Sequence, residues 1–287
     1  MTIKIGLIGH AISQSQSPAL HEMLGEIYGF DVKYDLIEPE HNTLECFQET
    51  VDRMRSEGYV ATNVTFPFKQ LATHVVTNGD QAVEMVGSTN TMRIGQESID
   101  ATNTDFSGFV KGYQSRRGDR PAGDVLMLGA GGVGRAVAFG LTKLNAKKIY
   151  VYDLSAAGAE SLVEALVAVG ADAEAILADE IPTIAKQVDG LVNCTPIGHL
   201  KSPGNPLDPS LFGGQKWAFD AVYVPLDTEF LKASHAAGLD LVSGFDLFFY
   251  QGIDAFQFFV NSKVDPSEAR TRFVEKFKVS SDLLDLA

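Results

Sequence analysis

Residues 125–141 read VLMLGAGGVGRAVAFGL and carry the strongest local pattern in the chain. An apolar run of strand character leads directly into Gly129, Gly131 and Gly134, which have G-x-G-x-x-G spacing. In loops of this kind the first glycine permits a tight turn, the second lets the backbone approach a pyrophosphate, and the third lets helix and strand pack closely. We therefore predict a strand, a phosphate-binding loop and a helix from about Val133 to Leu144.

The predicted loop offers free backbone N–H groups at a helix N-terminus, where an anion is favoured. The predicted cofactor contacts in this loop are Gly129, Ala130, Gly131, Gly132, Val133 and Gly134. The next predicted strand ends in Asp153, where the pattern expects a carboxylate for the adenosine ribose. An NADP site would offer basic groups to the 2′-phosphate, yet no Lys or Arg lies between Ile149 and Ala185. The pattern predicts NAD as the cofactor, and the alternative is a structural glycine turn with an incidental aspartate.

Short β-rich runs alternate with helical-period segments on both sides of this loop. Before the loop, the alternation predicts a parallel α/β domain. After it, a strand at 148–153 and a helix at 161–170 indicate a separate unit of the dinucleotide-binding type. We also predict an exposed connection at 112–124, a proline-rich surface loop at 201–210, and an apolar helix at 244–260 that packs against one of the domains.

The length and composition of the chain limit the number of domains and the kinds of ligand that we expect. At 287 residues the chain exceeds the size that one hydrophobic core usually serves, so we expect two domains. A net charge of −14 argues against a nucleic-acid or anionic-membrane partner, because either would need a basic face, and favours a small-molecule partner. The two cysteines, Cys46 and Cys194, belong to no metal-binding spacing, so we predict no metal site. No apolar run reaches the roughly 18 residues of a membrane span, and we expect a soluble cytoplasmic protein.

The stretch NVTFPFKQ, residues 63–70, places Lys69 after two phenylalanines and a proline, which should hold its backbone and partly shield its amine. Asp105 follows a Thr-Asn-Thr turn at a predicted domain junction. A dehydrogenase needs a group that takes the hydroxyl proton, and a Lys–Asp pair in a cleft can hold one hydroxyl from two sides. The alternative interpretation of Lys69, taken alone, is a solvated helix residue. The alternative interpretation of Asp105 is a helix N-cap.

A series of short motifs runs along nearly the whole chain. In order they are SQSPALH (15–21), NVTFPFK (63–69), GSTNT (87–91), NTDFSGF (103–109), GAGGVGRA (129–136), NCTPIG (193–198), DAVYVP (220–225) with Thr228, and a final glycine-to-glutamine stretch ending at Gln251. In this order they resemble the motifs of the shikimate/quinate dehydrogenase family. The whole series is far more specific than any one motif.

The resemblance implies roles for residues at the matching positions. It makes Lys69 and Asp105 a catalytic pair. The implied substrate contacts are Ser15 and Ser17 for a carboxylate, Thr65, Asn90 and Gln251 for ring hydroxyls, and Tyr223 nearby. The further implied cofactor contacts are Cys194, Thr195, Pro196 and Gly244. The alternatives are turn or N-cap hydroxyls for the serines, satisfaction of buried backbone groups for Thr65 and Asn90, and a plain helix residue for Gln251.

The implied fold class is α/β, with an N-terminal α/β substrate domain and a Rossmann-type doubly wound nucleotide-binding domain. We expect a substrate-binding catalytic domain at 1–104, an NAD-binding domain at 105–242, and a C-terminal helical segment at 243–287 that returns to the first domain. The implied partner is a small cyclic polyhydroxy carboxylate, without nucleic acid or membrane, and the protein is expected to be a monomer or a homodimer.

Three features depart from the family pattern, and one of them is the stretch GFDLFFYQ (244–251), which is bulkier than the usual G-x-x-M-L run around Gln251. Asp153 stands where many biosynthetic members carry an Asn-Arg pair for NADP, which indicates an NAD-using branch. His199 follows NCTPIG where methionine is common, and we favour a packing role for it over a catalytic one. The implied reaction is NAD-dependent oxidation of a ring hydroxyl of quinate or shikimate. The alternatives are a paralogue acting on a related cyclitol or aminoshikimate-type acid, and a non-catalytic nucleotide-sensing protein, against which the retained Lys69 and Asp105 argue.

Overall fold

A computed structural model describes residues 2–286 and divides them into two compact units. Unit 1 comprises residues 2–104 and Gln251–Val279. Unit 2 comprises Asp105–Tyr250 and Ser280–Leu286. The chain therefore passes from one unit to the other three times.

Twelve strands and ten helices are defined along the described residues. The strands are β1 (Ile3–Ile8), β2 (Val32–Ile37), β3 (Tyr59–Val64), β4 (Asn78–Gly79), β5 (Thr91–Ile94), β6 (Ile99–Thr102), β7 (Gly123–Leu128), β8 (Ala146–Tyr152), β9 (Ala173–Ala175), β10 (Gly190–Asn193), β11 (Trp217–Asp220) and β12 (Asp240–Ser243). The helices are α1 (Ser17–Tyr28), α2 (Leu44–Ser56), α3 (Gln81–Val86), α4 (Thr104–Arg117), α5 (Gly132–Lys143), α6 (Ala156–Ala168), α7 (Ile181–Ala185), α8 (Glu229–Ala236), α9 (Gly244–Val260) and α10 (Pro266–Phe277). None of these helices is long and apolar enough to cross a membrane.

The sheet of unit 1 has six strands in the order β2-β1-β3-β5-β6-β4. β1 runs parallel to β2 and β3, as the alternating pattern predicts, but β5 is antiparallel to both β3 and β6. The prediction of a parallel sheet is therefore wrong for this part of the unit. Only residues 95–98 separate β5 from β6, and so short a connection makes a hairpin because a parallel pair needs a crossover of a dozen or more residues.

Both faces of the unit 1 sheet are covered. On one face Ile5 and Leu7 of β1 pack with Ala255 and Phe259 from the second half of α9. On the other face Ile8 belongs to a cluster that is built around α2 and the turn after β3. Alternate residues of β1 thus enter opposite cores, as the two-residue period of a strand requires.

The sheet of unit 2 has the order β12-β11-β10-β7-β8-β9, and every neighbouring pair is parallel. Unit 2 is therefore doubly wound, of the Rossmann type, and the predicted fold class is confirmed. The chain moves outward from β7 through β8 to β9 and then returns to β10 on the other side of β7. The carboxyl end of β7 is the switch point of the sheet, where open α/β sheets bind their ligands.

The prediction of an exposed connection at 112–124 is wrong in its first half, because α4 continues to Arg117. Tyr113 is fully buried and meets Trp217 edge to face, with ring centroids 4.9 Å apart. One turn later the buried Arg117 guanidinium lies 5.5 Å from the Trp217 ring centroid and donates to Asp240. Residues four apart share one face of a helix, so Tyr113 and Arg117 both line the core although each carries a polar group.

The apolar segment at 244–260 forms one continuous helix, α9, and this prediction is confirmed. Its start is fixed inside unit 2 by the fully buried Asp246. That carboxylate accepts from the backbone N–H and hydroxyl of Ser243 and takes two hydrogen bonds of 3.0 Å from Arg116. A bidentate pair of this kind satisfies a buried charge and fixes its direction.

Candidate active site

The sequence-predicted site residues fall into two groups. Those in unit 1 are Ser15, Ser17, Thr65, Lys69, Asn90 and Gln251. Those in unit 2 are Asp105, Gly129, Ala130, Gly131, Gly132, Val133, Gly134, Asp153, Cys194, Thr195, Pro196, Tyr223 and Gly244.

Lys69 lies in the turn that follows β3 and is half-buried. It precedes a short 3-10 helix at Leu71–Val75, so it is not the solvated α-helix residue of the alternative interpretation. Phe68 is fully buried and stacks on Phe47 with ring centroids 5.5 Å apart. Phe66 is 73% exposed, so of the two phenylalanines only Phe68 anchors this turn in the core.

One short segment, Ser88–Thr91, holds the backbone of Lys69 and that of Thr104, the residue before Asp105. The N–H of Thr89 donates to the carbonyl of Lys69 at 2.9 Å. The side-chain oxygen of Asn90 accepts from the N–H of Thr104 at 2.7 Å. Thr104 is the residue before Asp105, which is 5% exposed in the first turn of α4 and is therefore not its N-cap.

The buried Asn90 side chain is largely used inside the protein. Its oxygen also accepts from the Thr91 hydroxyl, and its nitrogen donates to the Thr104 hydroxyl. Asn90 thus satisfies a buried backbone group, as the alternative interpretation holds. A side-chain amide has two N–H donors, so the second one remains for a ligand.

The serine turn precedes α1. The N–H of Ser15 donates to the carbonyl of Ile12, and the Ser15 hydroxyl oxygen accepts from the N–H of Ser17 at 3.2 Å. Both serines are half-buried. Because the Ser15 oxygen uses a lone pair in this turn, its proton remains for another acceptor, so a turn hydroxyl and a ligand contact are compatible.

Two further predicted substrate contacts, Thr65 and Gln251, lie in different segments of unit 1. Thr65 directly follows β3, where its N–H donates to Ile8 and its carbonyl accepts from Phe68. Gln251 is half-buried on α9 and is the first residue of the part of that helix that belongs to unit 1. The backbone of Thr65 is therefore fixed, and its side chain is half-buried.

The glycine loop has the geometry that its spacing predicts. Gly129 has a φ of +98°, and a Cβ there would lie 2.7 Å from the carbonyl carbon of Cys194. A Cβ at Gly134 would lie 2.2 Å from the carbonyl oxygen of Gly129. Gly131, the N-cap of α5, instead faces open space, so a ligand can approach its backbone. Gly132 is also exposed, at the first position of α5.

Asp153 lies at the carboxyl end of β8 and is held by both of its oxygens. One oxygen accepts from the N–H of Ala130 at 2.7 Å, and the other accepts from the N–H of Ser155 at 2.8 Å. Each carboxylate oxygen can accept more than one hydrogen bond, so both keep acceptor capacity. The carboxylate is thus fixed beside the glycine loop and can still receive ribose hydroxyls.

A buried polar cluster joins the loops after β10 and β11. Asp220 is fully buried and accepts from the Asn193 side chain at 2.9 Å, the Val222 N–H at 3.0 Å and the Thr228 hydroxyl at 2.6 Å. Asn193 also accepts from the N–H and hydroxyl of Thr195. The sequence analysis did not single out Asn193 or Asp220 as individual residues, although they begin the motifs NCTPIG and DAVYVP.

The remaining predicted residues lie around this cluster. The N–H of Cys194 donates to Leu128, which ties the loop after β10 to the central strand β7. Pro196 is exposed, and Gly244 is the first residue of α9. Tyr223 stacks on Phe248 with ring centroids 5.0 Å apart, and burial raises the pKa of its hydroxyl above the ordinary value.

His199 is half-buried, and its Nδ1 accepts from the N–H of Lys201 at 3.1 Å. A neutral imidazole that accepts at Nδ1 carries its proton on Nε2. This contact ties the ring to its own loop, in keeping with a packing role. Within residues 2–286, no group of three or more His, Cys, Asp or Glu could hold a metal ion.

Comparison with known proteins identifies the family. Residues 7–92 match the family described as shikimate dehydrogenase substrate binding domain. A quinate/shikimate dehydrogenase (NAD(+)) from Corynebacterium efficiens is 34% identical over 278 residues, which cover 95% of this chain and 98% of that protein. The chain belongs to the shikimate/quinate dehydrogenase family. It is therefore an oxidoreductase.

Two other family members bear on the cofactor. A shikimate dehydrogenase (NADP(+)) from Pseudarthrobacter chlorophenolicus is 33% identical and covers 94% of each chain. The structure of quinate dehydrogenase from Corynebacterium glutamicum in complex with NAD is 31% identical, with a TM-score of 0.88, over 96% of this chain and 99% of that chain. The family thus includes both NAD and NADP enzymes.

The buried Asp220 leads to a prediction about pH in this family member. Burial raises its pKa from the ordinary 3.8 to about 7, and hydrogen bonds from Thr228, Val222 and Asn193 oppose part of that rise. The folded protein keeps the proton at pH values where the unfolded chain has lost it. We therefore expect the free energy of unfolding to fall as pH rises from about 4 to about 7, by about 1–4 kcal/mol from this group.

This pH dependence is tested by urea unfolding of wild type and of Asp220→Asn across the same pH range. The asparagine cannot ionise, so the difference in unfolding free energy between the two proteins should change with pH and level off above about pH 7. A difference that stays constant from pH 4 to pH 8 would show that Asp220 does not titrate in this range.

Proposed function

We propose that this protein is an NAD-dependent dehydrogenase that reversibly oxidises a ring hydroxyl of quinate or shikimate to give 3-dehydroquinate or 3-dehydroshikimate. The observation that carries the proposal is the anchoring role of Ser88–Thr91. That segment fixes the backbone of Lys69 and also that of Thr104, the residue before Asp105. Two candidate proton-handling groups thus depend on one rigid element, as precise positioning in catalysis requires.

Oxidation of an alcohol removes a hydride from carbon and a proton from oxygen. When bound, NAD supplies the acceptor for the hydride. In the proposal, the Lys69 amine takes the proton from the reacting hydroxyl, and in the reverse direction it returns that proton to the oxygen. Asp105 holds the amine and the hydroxyl in place through its carboxylate.

Substrate recognition is assigned to neutral polar side chains. Ser15 and Ser17 donate to the carboxylate of the cyclic acid, and the free hydroxyl proton of Ser15 supports its part in this role. The ring hydroxyls are assigned to Thr65, Asn90, Gln251 and Tyr223. Neutral groups suit a small polyol acid, because it must be oriented through several hydroxyls rather than held by charge alone.

The cofactor site is assigned to unit 2. The open backbone at Gly131 and the helix N-terminus of α5 suit a pyrophosphate, and the fixed carboxylate of Asp153 suits the ribose hydroxyls. The NAD-dependent relatives support the same choice. Cys194, Thr195, Pro196 and Gly244 are proposed as further contacts near the switch point.

The three segments of the chain are assigned to the substrate site and the cofactor site in the same way. We assign substrate binding to 1–104, NAD binding to 105–242, and a returning helical role to 243–287. The match of residues 7–92 to a substrate binding domain supports the first assignment. The presence of Gln251–Val279 in unit 1 supports the third.

The proposal is tested by identifying the product. Purified protein is incubated with quinate or shikimate and NAD, and the acid is analysed by mass spectrometry and NMR. We expect a product that has lost two hydrogen atoms at one ring hydroxyl, formed in equal amount with NADH. Turnover only of another cyclitol or an aminoshikimate-type acid would favour the paralogue, and NAD binding without turnover of any such acid would favour a sensing protein.

A further inference from the structure

A buried hydrogen-bonded chain in unit 1 contains two residues to which the proposed reaction gives no role. Tyr34 and Asn63 are each 5% exposed, and the Tyr34 hydroxyl donates to the Asn63 side-chain oxygen at 2.8 Å. The Asn63 nitrogen donates to the carbonyl of Asn90 and to the hydroxyl of Thr91, both at 3.1 Å. Fully satisfied networks of this kind fix the geometry of their members.

The donors in this chain have fixed directions. The carbonyl of Asn90 can only accept, so the Asn63 atom facing it must be the nitrogen. Both N–H groups of Asn63 are then used, and its oxygen faces Tyr34. The single proton of the Tyr34 hydroxyl is therefore committed to Asn63.

Burial raises the pKa of Tyr34 well above its ordinary value, so the hydroxyl keeps the proton that it donates to Asn63. The Tyr34 ring is itself held by His21, which stacks on it with ring centroids 5.0 Å apart. Burial lowers the pKa of His21 to about 3, so this neighbour is neutral and supplies packing rather than charge.

We propose that Tyr34 and Asn63 are positioning residues that hold the backbone of Asn90, the residue assigned to the ring hydroxyls of the substrate. This inference rests on the proposed function, because it uses the substrate contacts assigned there. The Asn63 nitrogen holds the carbonyl of Asn90 and the hydroxyl of Thr91, and the Tyr34 hydroxyl fixes the orientation of the Asn63 amide.

The direct test is Tyr34→Phe, which removes the hydroxyl but keeps the ring that stacks on His21. We expect the KM for quinate or shikimate to rise about two- to tenfold, the value of one lost hydrogen bond, with kcat within about threefold of wild type and the KM for NAD unchanged. The matched control is Tyr59→Phe, which removes a hydroxyl that donates to Asp35 outside this network. The control should leave the KM for the acid unchanged, even if both variants lower Tm.

A double-mutant cycle with Asn90→Ala separates positioning from general destabilisation. If Tyr34 acts through Asn90, Tyr34→Phe should raise the KM much less in the Asn90→Ala background than in wild type. Full additivity of the two changes would overturn the coupling to Asn90.

A second variant covers the case in which Tyr34→Phe does not fold. Thr91→Val removes the Asn63 acceptor at the other end of the chain, and we expect the KM for the acid to rise about twofold or more. An unchanged KM in the folded variants would overturn the inference while leaving the proposed function intact. An inactive wild-type enzyme would instead defeat the proposed function itself.

Discussion

Replacing Lys69 by alanine is expected to lower kcat by a factor on the order of 100 to 10,000, the usual value of general acid–base catalysis. The KM for the acid and the affinity for NAD should stay near the wild-type values. The reason is that the amine handles a proton in the transition state, so its loss affects the chemical step more than binding.

A matched control for this change is Lys33→Ala. Lys33 lies in the same unit on β2, its side chain is 57% exposed, and it pairs with Asp35 at the surface. Surface pairs of this kind contribute about 1 kcal/mol or less to stability, so the control should keep full activity. A Lys69→Ala enzyme with wild-type kcat would remove Lys69 from the reaction.

The second large effect concerns the choice between NAD and NADP. The 2′-phosphate of NADP would bring negative charge against Asp153, and the sequence offers no Lys or Arg between Ile149 and Ala185 to offset it. We expect wild type to favour NAD in kcat/KM by about a hundredfold or more, and Asp153→Ser to lose most of that preference. The loss should come from weaker NAD binding together with relief of the repulsion of NADP.

The control for Asp153→Ser is Asp172→Ser, which removes an exposed aspartate elsewhere in unit 2. It tests whether net charge alone changes the preference, and we expect no change in the NAD-to-NADP ratio. Because Asp153 also holds the backbone of Ala130, Tm should be measured for both variants. A wild-type enzyme that favours NADP would overturn the assignment of Asp153.

The nucleotide loop was predictable from sequence because its constraints are local. The helix predicted from about Val133 to Leu144 is observed at Gly132–Lys143. Gly129 and Gly134 contact backbone that lies within the loop itself or directly across from it, so a glycine at each position follows from sterics alone. The apolar helix at 244–260 was equally clear, because a long apolar run of helical character must be buried.

The residues whose places the sequence did not predict have contacts with residues that are distant in sequence. Arg117 looks like a loop residue until Trp217 and Asp240 are brought against it. Tyr34 and Asn63 are 29 residues apart, and neither shows by itself that it belongs to a buried hydrogen-bonded chain. Asp220 was visible within a motif, and its donors Val222 and Thr228 are close in sequence. Its burial and its third donor, Asn193, which is 27 residues away, come from elements that only the fold assembles.

NAD-dependent oxidation of a cyclic polyhydroxy acid can be measured through initial rates of nucleotide reduction. These rates are recorded for the wild-type enzyme with quinate and with shikimate, each with NAD and with NADP. We expect rapid NADH formation with at least one of the two acids and far slower reaction with NADP. No nucleotide reduction with either acid, or a clear preference for NADP, would contradict it.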